Sequence, residues 1–76
     1  MIDTNLLGRK IADARRDAGI TQTVLAERVG VTAQAVSKWE QGRSCPDIAI
    51  LDEIADALGI SLFELLGMAN GAKNSS

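Results

Sequence analysis

An all-α fold, a compact bundle of five short helices, is predicted by three observations. Apolar residues recur at helical spacing in five separate stretches, with no strand-like alternation between them. Each stretch opens near a residue that caps helices (Thr, Asn, Asp or Ser), and the first four close on a glycine. The third is scale: 76 residues at 46% hydrophobic content suffice for one core and little else. The chain has no internal repeat.

Taken in order, the first helix starts at a cap on Thr4 or Asn5 and runs to about Ala18, where Gly19 stops it. Leu7, Ile11, Ala14 and Ala18 face inward at the helical period. Arg15 lies on nearly the same face, where an unanswered charge is costly. Ile20 packs in the following turn. Thr21 then caps a second helix whose stripe is Leu25, Ala26 and Val29, broken by Gly30. Thr32 caps a third, from Ala33 to about Gln41, with Val36, Trp39 and Glu40 turned inward and Gly42 behind it. Small Ala26 lets these two helices cross closely, Gly30 takes the positive φ of the turn, and Val31 with Val36 plugs the angle. Residues 21–42 therefore spell a helix-turn-helix.

Arg43-Ser44-Cys45-Pro46 reads as a loop, since proline disfavours helix in the residue before it. Asp47 caps a fourth helix that ends at Leu58 before Gly59. Its stripe is Ile48, Leu51, Ile54, Ala55 and Leu58, with Ile50 off it. Ser61 and Glu64 have capping-box spacing, which opens a fifth helix whose Leu62, Leu65 and Leu66 close the core. One domain over residues 1–67 and a flexible tail over 68–76 follow, because the last residues lack periodicity and apolar content.

Composition excludes several function classes. With no histidine and the single Cys45, neither an internal disulfide nor a zinc site is expected, and no other metal or cofactor site suggests itself. Nothing resembles a phosphate-cradling glycine loop or a catalytic constellation, so an enzyme is not expected. No apolar run approaches the 18 or so residues that suggest a membrane span. The first residues lack a signal peptide's pattern, which points to the cytoplasm of a bacterium or to a phage-encoded protein there. Net charge is −2, but it is polarised. Residues 1–46 carry seven basic and five acidic groups, and residues 47–76 carry one basic against five acidic. A basic front and an acidic back suit approach to a polyanion from one side.

The string from Leu7 to Leu66 resembles the lambda-repressor-like helix-turn-helix domains, the Cro/cI or XRE family. Its markers are Leu7-Gly8, Arg15, the TQ-x-x-LA of 21–26, the WE-x-G of 39–42, Pro46, the IA-x-x-LGIS of 54–61 and the closing Leu65-Leu66. The resemblance implies a five-helix fold and sequence-specific binding of double-stranded DNA, typically by a dimeric repressor. It also implies an ion pair between Arg15 and Glu40, linking the first helix to the third.

The third helix then presents Ala33, Gln34, Ser37, Lys38 and Gln41 on its outer face. A helix fits the major groove, and its N-terminal residues meet base edges. Gln34 has the donor and acceptor that match adenine N6 and N7, and Lys38 can donate to guanine O6 or N7. Ala33 offers a methyl to thymine, Ser37 permits close approach, and Thr32 doubles as cap and groove contact. Gln22 opens the second helix, where free amides favour a phosphate, and the resemblance assigns this glutamine that role. Gln41, Arg43 and Ser44 are placed to grip backbone on the other side. The resemblance adds Arg15, through its outer nitrogens, to the phosphate contacts.

One such domain buries little DNA, so a homodimer on a near-palindromic operator is expected, with half-sites about 34 Å apart. Ile50, Phe63 and Met68, left over once the core is filled, are the candidate interface residues. The competing reading is a protein-binding module of the same fold, an antitoxin, anti-repressor or coactivator bridge, which the acidic net charge favours slightly.

Overall fold

The computed structural model describes the backbone of residues 3–69 and the side chains of residues 3–66. Within that span it has five helices: α1 (Thr4–Asp17), α2 (Gln22–Val29), α3 (Ala33–Glu40), α4 (Ile48–Leu58) and α5 (Leu62–Ala69). α1 packs on α3 and α5, while α2 is wedged between α3 and α4. None of these helices is long and apolar enough to cross a membrane.

The caps account for the boundaries. Thr21 Oγ1 accepts from the Val24 amide at 3.1 Å, Thr32 Oγ1 from Ala35 at 3.1 Å, and Asp47 Oδ1 from Ile50 at 2.9 Å. Each satisfies one of the donors that a helix start leaves open, worth about 1 kcal/mol apiece. At α5, Ser61 Oγ accepts from the Glu64 amide at 2.9 Å, and Glu64 reaches back to the Ser61 amide at a long 3.5 Å. The expected cap on α1 is corrected. Asp3, not Thr4 or Asn5, takes the Asn5 and Leu6 amides at 3.0 and 3.1 Å, and Thr4 is already helical. A carboxylate also answers the positive end of the helix dipole, which a hydroxyl or amide does not.

Leu7, Ile11, Leu25, Val36, Ile54 and Leu65 are sealed from solvent, so every helix gives the core at least one wholly buried side chain. Trp39 is buried as well, and Val31 is partly buried against the core. Two expected core positions are corrected. Ala18 is exposed, because α1 stops at Asp17 and Ala18 serves as its C-cap; Ala12 is buried in the same helix. Ile48 is 60% exposed. As the first residue of α4, its side chain leans toward the helix start and overhangs the loop instead of the core. Ile50, expected off the stripe, is half-buried against the core edge. Phe63 is 86% exposed. The Met68 side chain lies outside the described residues, as does the expected tail from residue 70 onward.

Gly8 lies inside α1 and is buried where that helix meets the C-terminal end of α3. A Cβ there would fall on the carbonyl oxygen of Trp39 and within 2.9 Å of that of Glu40. Alanine would gain about 1 kcal/mol of helix propensity over glycine. Against that, overpacking costs about 1–3 kcal/mol or more, and a backbone obstruction cannot rotate away. The steric loss wins. Gly8→Ala is therefore expected to lower stability by about 2 kcal/mol in urea titration, and a melting temperature equal to that of the parent would refute the close approach.

Candidate nucleic-acid interface

The site is built outward from a charge pair beneath α3. Arg15 on α1 donates from Nε to Glu40 Oε2 at 2.6 Å and from Nη2 to Oε1 at 3.1 Å, a bidentate fork. The two side chains are only 13% and 7% exposed. Arg15 Nη1 donates to the carbonyl of Ile20 at 2.9 Å, and Gln22 Nε2 donates to Glu40 Oε1 at 2.9 Å. Three helices thus meet on one carboxylate, and Arg15 ties the turn between α1 and α2 to it. Donating to the Glu40 carboxylate holds the Arg15 pKa above its ordinary value; burial opposes this and the charge attraction adds to it. A pKa raised on folding contributes stability below its unfolded value, so Arg15 stays charged and keeps this contribution across the working pH range.

Sequence reasoning placed Arg15 and Glu40 but missed two members of the network. Gln22 was assigned to the backbone of a ligand, and the Ile20 carbonyl was given no role. Gln22 is one residue past the Thr21 cap and half-buried, and one of its two amide protons goes to Glu40. The other proton remains for an outside acceptor. Among the described residues, the backbone amides of Gln22 and Thr23 also lack capping partners, since Thr21 reaches only Val24. The N-terminal end of α2 therefore offers several donors within one turn. Arg15 commits three of its five N–H groups internally, leaving one on each terminal nitrogen.

α3 displays the opposite face. Thr32, Gln34, Lys38 and Gln41 are exposed, and Ala33 and Ser37 are half-buried, Ala33 through packing against the core. Ser37 and Gln41, one turn apart, are joined by Gln41 Nε2 donating to Ser37 Oγ at 2.9 Å. Beyond the helix, Arg43 and Ser44 are exposed, and Arg43 Nη1 donates to Gln41 Oε1 at 3.4 Å. Polar residues thus run continuously from the start of α2, across α3, to the α3–α4 loop. The acidic residues Asp52, Glu53 and Asp56 and neighbouring Ala57, all on α4, line a hollow with Arg28 of α2, and α4 packs on α2, α5 and α1. Among the described residues, no cluster of His, Cys, Asp or Glu is arranged to hold a metal ion.

Residues 11–65 match a family model described as helix-turn-helix. The chain is 41% identical over 61 residues to the uncharacterized HTH-type transcriptional regulator y4dJ of Sinorhizobium fredii, covering 80% of this chain and 79% of that one. Among solved structures it is similar to the clp gene regulator ClgR of Corynebacterium glutamicum. There the TM-score is 0.86 at 31% identity, over 93% of this chain and 76% of that one. It is also similar to the c2 repressor of phage P22 in complex with a synthetic operator. That match has a TM-score of 0.76 at 35% identity, over 83% of this chain and 96% of that one.

Removing Glu40 would strand a largely buried guanidinium and the Gln22 amide together. Glu40→Ala is expected to cost about 3–5 kcal/mol in urea titration, whereas an Arg15→Met, Glu40→Leu double variant recovers most of it. Equal losses in the two variants would refute the pair as the source.

Proposed function

The chain belongs to the helix-turn-helix family of DNA-binding transcriptional regulators, and from that premise we propose that it is a sequence-specific repressor reading the major groove with α3. The observation that carries this reading is the exposure of Gln34 and Lys38 one turn apart, on the face of α3 opposite buried Val36 and Trp39. Nothing in the described chain covers that face, and its width is that of one helix, which the major groove admits.

The roles divide by chemistry. Gln34 offers paired donor and acceptor to adenine, Lys38 donates to guanine, and Ala33, Ser37 and Thr32 set the close fit around them. Gln22, the free α2 amides and the outer Arg15 nitrogens hold phosphate on one side of the groove. Gln41, Arg43 and Ser44 hold it on the other. Phosphate contacts fix register, and base contacts fix sequence.

A homodimer on a near-palindromic operator follows from the small footprint of one such domain. Phe63 is the leading interface residue, being almost wholly exposed, while Ile50 leaves only part of its surface to a partner. The resemblance in sequence to a clp gene regulator and to an operator-bound repressor supports a regulatory role for the whole chain.

Selection from a random duplex pool tests the reading in one experiment. The expected product is an inverted repeat with half-site centres one helical turn apart, about 34 Å. Affinity should fall with salt by a log–log slope near −0.9 for each phosphate neutralised. Absence of binding at every salt concentration would overturn the proposal in favour of a protein-binding module.

Single substitutions separate the two kinds of contact. Gln34→Ala is expected to relax preference at one position by about 1–3 kcal/mol, while Arg43→Ala weakens binding to every sequence and lowers the salt slope by about one. An unchanged motif with Gln34→Ala would remove that side chain from the reading set.

A further inference from the structure

We infer that Ser37 meets its base as a hydrogen-bond donor, and that Gln41 is the positioning residue that sets this polarity. The inference rests on the groove reading proposed above and deepens it at one position. A serine hydroxyl has one proton and two acceptor sites, so an isolated Ser on a reading helix discriminates poorly. Here the hydroxyl is not isolated. Gln41 Nε2 donates to Ser37 Oγ at 2.9 Å, which fills one of its two acceptor sites and, by polarising the hydroxyl, strengthens its proton as a donor and weakens the remaining lone pair. Among the described residues no acceptor takes the Ser37 proton.

The orientation of the Gln41 amide is biased from its far side. Arg43 Nη1 lies 3.4 Å from Gln41 Oε1, and a guanidinium can only donate. That long contact favours the orientation in which the amide oxygen faces Arg43 and the NH2 group faces Ser37. Arg43, Gln41 and Ser37 form a directed chain in which each member donates to the next. The last donor in the chain is the Ser37 hydroxyl, and it has the groove in front of it.

In the major groove guanine presents O6 and N7 and thymine presents O4, all acceptors, whereas cytosine presents only the N4 donor. Ser37 as a donor favours guanine or thymine over cytosine at the position it faces. One neutral hydrogen bond made or left unmade there corresponds to about fivefold in relative affinity.

Exchanging the Gln41 amide for a carboxylate reverses the chain. In Gln41→Glu the carboxylate accepts from both Arg43 and Ser37, so the Ser37 proton turns away from the groove and a lone pair faces it. The test is selection from a random duplex pool with the parent chain, Ser37→Ala and Gln41→Glu, scored base by base. Ser37→Ala identifies the position, as the one whose preference it flattens. The expected results are a parent preference for guanine or thymine there, and a shift of about fivefold or more toward cytosine in Gln41→Glu. The added negative charge lowers affinity for all sequences and leaves that ratio untouched.

Retention of the parent base preference in Gln41→Glu would overturn the inference, and so would a parent preference for cytosine. A motif unaltered by Ser37→Ala would do the same while leaving the groove reading in place. A pool that returns no motif with the parent chain overturns the groove reading itself. Should Gln41→Glu fail to fold, as judged by circular dichroism, Gln41→Ala decides the question. It frees the acceptor site that Gln41 fills and removes the polarisation of the hydroxyl, and a guanine-or-thymine preference of undiminished strength would then count against Gln41.

Discussion

The carboxylate of Glu40 is the point on which the geometry of this domain depends. It is the last residue of α3, and it accepts from Arg15 on α1 and from Gln22 at the start of α2. Apolar packing alone would leave α3 free to rotate about its own axis or slide along it, because hydrophobic contacts are non-directional. A bidentate fork with lengths of 2.6 and 3.1 Å permits neither. Gly8, two turns before Arg15 on the same helix α1, supplies the matching constraint. Its missing Cβ brings the α1 backbone onto the Trp39 and Glu40 carbonyls, so the same end of α3 is held by charge and by close contact.

Such clamping matters because α3 is only eight residues long. Helices of that length are unstable alone in water, since nucleation costs more than a few propagated turns return. Thr32 relieves one end, and the carbonyl-rich other end is drawn into contact with α1. Val36 and Trp39, both buried, take the apolar side. Of the outward residues, Gln34 and Lys38 make no side-chain hydrogen bond within the described residues, which leaves them free to be chosen for recognition. Gln22 bridges the two tasks. One amide proton holds Glu40 and the other faces outward, so a ligand at the start of α2 would feel the position of α3 directly.

Much of this was legible in the sequence, and the failures have physical causes. Thr21, Thr32, Asp47 and Ser61 act as the caps their positions predict, because a cap is a local interaction between neighbours in the chain. Periodicity located the buried face of every helix. It erred at Ala18 and Ile48, the ends of stripes, where the helix boundary decides burial and period carries no information about boundaries. Asp3 was overlooked in favour of Thr4 and Asn5 because three capping residues in a row cannot be ranked by type alone. Gly8 enters the sequence reading only as a marker of the family, although a glycine inside an otherwise continuous helical pattern also implies a close neighbour. For the site, spacing picked out the outward residues of α3. The partners of Gln22 and Ser37 were beyond reach, since a polar side chain on a surface has many geometrically equivalent choices until the neighbours are in place.

The net charge of −2 bears on how such a surface would work. Asp52, Glu53 and Asp56 sit on α4, which packs on α2, α5 and α1, so the negative charge is gathered away from the exposed Lys38 and Arg43. Interactions between exposed charges fade over about 8 Å at physiological ionic strength. Beyond that distance the acidic back neither cancels the few cations at the front nor helps them. A front with so few cations neutralises few phosphates, and counterion release, the main source of indiscriminate affinity, is correspondingly small. The balance then shifts to contacts that depend on base identity, made by side chains whose directions are already fixed. Under that regime a clamp on α3 is worth more to discrimination than another lysine would be, because a lysine strengthens right and wrong sequences equally while a rigid helix penalises only the wrong ones.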